Sequence, residues 1–391
     1  MTTALGSVRP KTGNERGTYI YIGVYSAVLY MVLLIAPVIT SKLVEQFGLS
    51  ATQVGGLLSL ELGAFSLATV PAYLWLRRVN LVTATQVFTI IAVLGNIISG
   101  LVDSYVLLVI CRVITSLAAG SITVIILGLS GKAANPGRAY GLFVAAQLVM
   151  GAVILALFPS IFATLNVSAI YWTMAGLAAL CIPAAKQINP DALRASSETK
   201  AVASTAQTRQ FPLFLAVLGL AAVFFFYVGL SSVWSFMGQI AANANLDLGT
   251  TSLILSLATL PGIASSVLAT WLGDSPWRRA FLIGGYLAMT ASIALLFGLT
   301  GALQFALAAV VFKFAWTFIL PYLLTSISDL DSNGQLMNST NLMIGSGFAL
   351  GPALGGVLIE SSGGFDALLW TACAGVVISM IFAVSIQRRK V

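Results

Sequence analysis

Residues 106–129 read VLLVICRVITSLAAGSITVIILGL, and residues 303–327 read LQFALAAVVFKFAWTFILPYLLTSI. Each stretch exceeds the roughly 20 apolar residues that a helix needs to cross a bilayer. Each also contains one cation, Arg112 or Lys313, and the two cations are 201 positions apart (313 − 112 = 201). A charge at bilayer depth costs about 2.5–3.5 kcal/mol on insertion scales, so its presence indicates a partner or a function.

The same offset relates two arginine pairs outside these stretches. Adding 201 to Arg77 and Arg78 gives Arg278 and Arg279. A repeated offset over half of the chain predicts two copies of one membrane unit, which is how many transporters are built.

Composition excludes a soluble protein. The chain has 391 residues, of which 59% are hydrophobic and only 8% are charged, whereas soluble domains carry about 25% charged residues. The net charge of +7 does not indicate a nucleic-acid partner, because the basic residues are scattered between apolar runs and are not gathered on one face.

The chain lacks the residues that most enzyme sites need. It has no histidine, which excludes Ser-His-Asp and Cys-His catalysis as well as histidine metal ligands. Its three cysteines, Cys111, Cys181 and Cys373, all fall within apolar runs, so a disulfide framework is not expected. We therefore expect no enzyme activity, no metal and no cofactor.

Hydropathy predicts twelve transmembrane spans. They are residues 19–40, 55–76, 81–102, 104–130, 141–165, 167–185, 211–240, 252–273, 281–300, 303–327, 341–359 and 368–386. The eleventh span crowds glycines around Pro352, a composition that favours close helix approach and a bend.

The loops predict the orientation. With twelve spans, sixteen of the nineteen Lys and Arg residues fall on one side, and by the positive-inside rule that side and both termini are cytosolic. The sixteen are Arg9, Lys11, Arg16, Arg77, Arg78, Lys132, Arg138, Lys186, Arg194, Lys200, Arg209, Arg278, Arg279, Arg388, Arg389 and Lys390. The longest hydrophilic stretch predicts a division into an N-terminal six-helix half (1–186), a cytosolic linker (187–210) and a C-terminal six-helix half (211–391).

This arrangement resembles the major facilitator superfamily. Residues 112–120 read RVITSLAAG, similar to the fourth-helix motif of that family, and Arg77-Arg78 and Arg278-Arg279 occupy its basic loops after the second and eighth spans. The resemblance covers essentially the whole chain and implies a central cavity lined by the first, fourth, seventh and tenth helices. Aromatic residues on these helices are candidate lining residues: Tyr25, Tyr30, Phe226, Tyr227, Trp234 and Trp316.

Glu61 is the only acid deep within a predicted span. At 1.5 Å rise per residue, Glu61 and Arg112 both lie roughly 9–15 Å below the outer surface, so they can pair. An acid in hydrocarbon can also take up a proton, because burial disfavours its charged form. Two interpretations remain open at this stage: a proton-coupling site that alternates between a proton and Arg112, or a fixed structural ion pair.

Lys313 has no matching acid in the second half, because adding the offset of 201 to Glu61 gives Gly262. The cation lies near mid-bilayer, so we expect it to face an aqueous cavity, where an anionic substrate would pair with it. The alternatives are that its side chain snorkels to the interface or pairs with another acid of the chain. Trp316 follows three positions later, on the same helix face. Aromatic rings beside a cation favour an organic anion, and Gln147 and Asn341 are further hydrogen-bonding candidates within spans.

We therefore predict an all-α integral membrane protein of major facilitator type, a monomer in the plasma membrane that works by alternating access. Its expected partners are the bilayer, protons and a small organic anion such as a carboxylate, bound by Arg112 and Lys313, with Glu61 as the coupling acid. The first alternative is a proton-coupled multidrug or cation efflux antiporter in which Glu61 binds the cation. A membrane-embedded sensor or enzyme is disfavoured, because the chain has no histidine and no sizeable extramembrane domain.

Overall fold

The computed structural model describes residues 15–162, 164–193, 213–272, 275–330 and 335–387. Throughout these residues the regular structure is helical, with no strand. The first half of the chain forms α1 (Glu15–Leu29), α2 (Met31–Leu34), α3 (Ala36–Phe47), α4 (Ala51–Leu67), α5 (Thr69–Trp75), α6 (Leu81–Ser99), α7 (Tyr105–Lys132), α8 (Pro136–Ile161) and α9 (Val167–Cys181). The second half forms α10 (Leu213–Asn243), α11 (Leu248–Trp271), α12 (Arg278–Ala294), α13 (Ala302–Ser328), α14 (Gln335–Ser362) and α15 (Asp366–Ile386).

These helices make twelve crossings, as the hydropathy predicts. In the described chain, ten spans are long and apolar enough to cross a membrane, with α4 and the start of α5 forming one of them. The two others are the first crossing, which α1, α2 and α3 form in succession, and α12, which has 17 residues. The first crossing is interrupted at Tyr30 and Ile35. Pro37 explains the second break, because proline lacks an N–H and disfavours helix just before it.

The basic loops lie together at one end of the bundle, which we call the basic face; the other end is the opposite face. On the basic face, Arg278 Nη1 donates to Asp329 Oδ2 at 2.9 Å. The start of the predicted linker also returns to this face, since Leu81 N donates to Pro190 O at 3.0 Å and Lys132 Nζ donates to Ala192 O at 2.7 Å. Residues 194–210 of that linker lie outside the described residues.

Glycine lets the two halves approach closely. A Cβ on Gly55 of α4 would lie 2.2 Å from the Pro352 carbonyl oxygen of α14, and a Cβ on Gly356 would lie 2.3 Å from the Ala51 oxygen. Backbones can approach this closely only where side chains are missing. The glycine-rich composition of the eleventh span therefore predicts its close packing correctly.

The halves also meet at the opposite face. The carboxylate of Glu360, at the end of α14, accepts hydrogen bonds from Ser50 Oγ at 3.0 Å and from Thr52 N at 3.2 Å, both at the start of α4. Close to this end, Gly249 of the second half packs against Pro159 of α8. These contacts close the bundle at the opposite face.

Candidate functional site

A cavity of about 810 Å³ lies inside the bundle and reaches the basic face. The first half contributes most of its wall, from the first crossing, from α4 to α7 and from α9. The described lining residues from the second half all lie on α14. Three charged side chains are among the described lining residues: Glu61, Arg77 and Arg112.

A buried ion pair forms part of the cavity wall. Arg112 of α7 donates from Nε to Glu61 Oε1 of α4 at 2.9 Å, and its Nη2 donates to the same oxygen. Arg112 is 1% exposed and Glu61 is 3% exposed. The structure thus confirms the predicted pairing of these two residues.

Neighbouring polar groups complete this pair. Arg112 Nη1 donates to Asn96 Oδ1 of α6 at 2.7 Å, and Ser116 Oγ donates to Glu61 Oε1 at 3.4 Å. The guanidinium carbon also lies 4.7 Å from the centre of the Tyr171 ring. A buried ion pair is tolerated only when further hydrogen bonds satisfy its remaining polar atoms. Asn96 of α6 and Ser116 of α7 each supply one here.

The rest of the wall is mostly aliphatic, with a few aromatic rings and hydroxyl groups among its residues. The Tyr30 ring, at the break between α1 and α2, packs edge-on against Phe65 at 5.0 Å between centroids. Both residues line the cavity, as do Phe348 and the exposed Asn341 of α14. Toward the basic face the lining ends at Arg77, which is exposed to solvent. Such a wall can take a small, partly apolar molecule with polar groups.

Lys313 lies outside this cavity. Its Nζ is 3.6 Å from the centre of the Trp234 ring and 4.5 Å from that of the Trp316 ring, so the spacing of Lys313 and Trp316 predicts their contact correctly. The residue is 2% exposed. Packing of α10 against α13 thus encloses the ammonium between two indoles, where the sequence predicts that it faces water.

The other predicted site residues divide into two groups. Tyr227 and Trp316 contact the cavity-lining ring of Phe348, at 4.8 and 6.3 Å between centroids, but lie behind it. Gln147 lies away from the cavity and donates to the Phe143 oxygen of its own helix at 3.1 Å. The structure therefore brings together Glu61, Arg112, Tyr30 and Asn341 at the cavity wall.

Sequence reasoning misses Asn96 and the role of Arg77. Asn96 lies inside the apolar span 81–102, so a polar residue at bilayer depth is the signal that identifies it. Arg77 is visible in the sequence only as part of a basic loop. Its place at the cavity mouth depends on how α5 packs against α7, which no local pattern predicts.

Comparisons with known proteins give one family. The sequence model of the Major Facilitator Superfamily matches residues 21–330. No curated protein matches the sequence. Among solved structures, the chain is similar to the nucleoside transporter NupG, with 14% identity and a TM-score of 0.71 over 96% of this chain and 99% of that one.

Two further solved structures share the fold. The D-xylose-proton symporter has 11% identity and a TM-score of 0.77, over 95% of this chain and 97% of that one. A bacterial homologue of the human lysosomal transporter Spinster, in an inward-facing and occupied conformation, has 16% identity and a TM-score of 0.69, over 96% of both chains. At these identities the likeness concerns the fold alone.

Proposed function

The chain belongs to the major facilitator superfamily and is a multi-pass membrane transporter rather than an enzyme, and we propose that it carries a small organic anion, such as a carboxylate, together with protons. The observation that carries this proposal is the buried pair of Glu61 and Arg112 in the wall of the cavity.

The charge of the cavity supports an anionic substrate. Glu61, Arg77 and Arg112 give the described lining a net charge of +1 (2 − 1 = 1). The one carboxylate among them already accepts two hydrogen bonds from Arg112. A cation entering the cavity would meet the exposed Arg77 first and would then compete with Arg112 for Glu61. This arrangement disfavours the cation efflux alternative.

The pair also provides a route to proton coupling. A proton on Glu61 removes the charge that Arg112 faces, and the guanidinium can then turn its planar set of donors toward a substrate carboxylate. Loss of the proton restores the ion pair and releases the substrate. Proton and anion are therefore bound together and released together, which is symport.

The direction of opening follows from the positive-inside rule. We assign the basic face to the cytosol, which places both termini there and makes this conformation inward-facing in the plasma membrane. In alternating access the two halves then rock until the contacts at the opposite face separate. The protein acts as a monomer, because each chain supplies a complete cavity.

A stability screen tests the substrate class. The purified protein is heated in detergent with organic acids, amino acids, sugars, nucleosides and cationic drugs, because a ligand that binds the folded state raises the melting temperature by mass action. We expect organic acids to raise it, more strongly at acidic pH. A rise in melting temperature with cations alone would favour the efflux alternative. A rise with sugars or nucleosides alone would contradict an anionic substrate.

A further inference from the structure

Lys313 and Arg112 occupy equivalent positions in the two repeats, but only Arg112 lines the cavity. Lys313 is covered instead: the Trp234 ring lies 3.6 Å from its Nζ and the Trp316 ring 4.5 Å. Within the described residues, no carboxylate lies within 4 Å of that nitrogen. The position equivalent to Glu61 is Gly262, whose Cα faces the Lys313 backbone.

The cover over Lys313 belongs to the contact between the halves. Trp234 Nε1 donates to the Leu33 backbone oxygen of α2 at 2.7 Å. One residue further along α10, the Ser235 oxygen accepts from Thr40 Oγ1 of α3 at 2.8 Å. Gly238 continues the line, since a Cβ there would lie 2.3 Å from the Pro37 oxygen.

These contacts run along α10 toward the opposite face. Opening of that face in alternating access must separate α10 from α2 and α3, and the Trp234–Leu33 bond breaks in that step. Trp234 then no longer has its anchor on the first half. On the cavity side, Trp316 contacts Phe348, a lining residue, so the second indole already lies against the substrate space.

We infer that Lys313 binds the anion when the cavity opens to the opposite face, and that Trp234 covers Lys313 while that face is closed. The inference rests on the proposed anion transport. An incoming carboxylate meets the ammonium of the second half first. As the face closes, the indole returns to the ammonium, and the carboxylate passes to Arg112 on the first half. A cation–π contact can exchange for a carboxylate, because both partners offer negative potential to the same ammonium.

Transport measured separately from each face tests this inference. The probe is radiolabelled benzoate, presented to right-side-out and to inside-out vesicles, with Lys313→Met as the variant and Lys313→Arg as the control that keeps the charge. Loss of a charge-assisted bond should raise KM about tenfold or more at the opposite face. At the basic face KM should stay within about twofold, because Arg112 is intact.

The outcomes separate the two proposals. If Lys313→Met changes KM equally at both faces, or at neither face, the role of Lys313 is contradicted and anion transport is not. Failure of the unchanged protein to move benzoate by either route contradicts both.

A second variant tests the cover without any substrate. Trp234→Phe keeps an aromatic ring but removes the donor to Leu33. When it is combined with Lys313→Cys, an impermeant thiol reagent at the opposite face should label Cys at position 313 faster than in the protein that keeps Trp234. Trp172→Phe is the matched control, because Trp172 Nε1 donates to the Ile97 oxygen within the first half. Equal labelling rates in the two tryptophan variants would overturn the assigned role of Trp234.

Discussion

Trp234 donates from its indole Nε1 to the Leu33 backbone oxygen at 2.7 Å, and these residues are 201 positions apart. The same offset relates Arg112 to Lys313. The bond therefore joins equivalent positions of the two repeats, where the first crossing meets the seventh. Gly262 lies at the equivalent position to Glu61: a Cβ on Gly262 would meet the Lys313 backbone oxygen of α13 at 3.4 Å, whereas the Glu61 carboxylate meets the Arg112 side chain of α7. The repeats share their geometry and differ in the acid.

Adjacent glycines on α4 make a matched pair. A Cβ on Gly55 would lie 2.2 Å from the Pro352 oxygen, whereas a Cβ on Gly56 meets Tyr105 Oη at an ordinary 3.5 Å. Gly55→Ala should therefore disfavour the closed opposite face by about 1–3 kcal/mol, the typical cost of overpacking. Spin labels at Glu45 and Ser361 should report a longer distance population in this variant. Gly56→Ala should match the unchanged protein, and an equal response of both variants would contradict the close contact.

Glu360 stabilises the closed opposite face through the start of α4. Glu360→Gln removes the negative charge that accepts hydrogen bonds from Ser50 and Thr52 at a helix N-terminus, so it should weaken this contact between the halves. Ser59 of α4 accepts from Ala353 N of α14 at 2.7 Å, so it lies in the contact between the halves. We expect labelling of a Ser59→Cys variant from the opposite face to become about two- to fivefold faster in Glu360→Gln. Glu45→Gln is the control, because Glu45 pairs with Lys42 of its own helix at 3.4 Å. An unchanged labelling rate in Glu360→Gln would show that Glu360 does not help to keep the opposite face closed.

The fold is largely predictable from the sequence. Apolar length predicts the crossings, and the basic loops predict which ends lie together, because both depend on local composition. The break at Ile35 has a local cause as well, in Pro37. What composition does not predict is the conformation. Which face is closed depends on contacts between distant helices, such as Glu360 with Ser50.

The site is predictable only in part. The pairing of Glu61 with Arg112 is predictable, because opposite charges at similar depth in a bilayer stabilise each other. The environment of Lys313 is not found, because the sequence shows Trp316 on its own helix but not Trp234, which comes from α10. Gln147 resembles Asn96 in the sequence, yet only Asn96 meets a partner on another helix. Hydropathy gives depth within the bilayer but not which neighbour a side chain meets.

Asn96 holds Arg112 in place. Its Oδ1 accepts from Arg112 Nη1, and Asn96→Ala leaves that buried donor without its partner, at a cost of about 1–3 kcal/mol. Thermal unfolding in detergent should show a lower melting temperature. Gln147→Ala is the matched control, because that amide donates only to its own helix, at Phe143. Comparable melting temperatures for the two alanine variants would mean that the hydrogen bond from Arg112 to Asn96 does not stabilise the protein.

Arg77 and Arg78 are adjacent, but only Arg77 lines the cavity. An exposed charge at a cavity mouth contributes modestly, so Arg77→Ala should raise KM for an organic anion about two- to fivefold at the basic face. The effect should shrink at high salt, because counterions screen exposed charges. Arg78→Ala should leave KM unchanged. Equal KM values for the two variants at low salt would exclude Arg77 from substrate attraction.

In the proposed mechanism Glu61 couples anion movement to protons, and Glu61→Gln tests this role. Glutamine retains an oxygen that can accept from Arg112 but cannot exchange a proton near neutral pH. The most direct measurement compares two modes in proteoliposomes: accumulation of an organic anion driven by a pH gradient, and anion exchange without a gradient. We expect Glu61→Gln to lose gradient-driven accumulation and to retain exchange. Accumulation at the level of the unchanged protein would contradict this role and would make the pair of Glu61 and Arg112 structural.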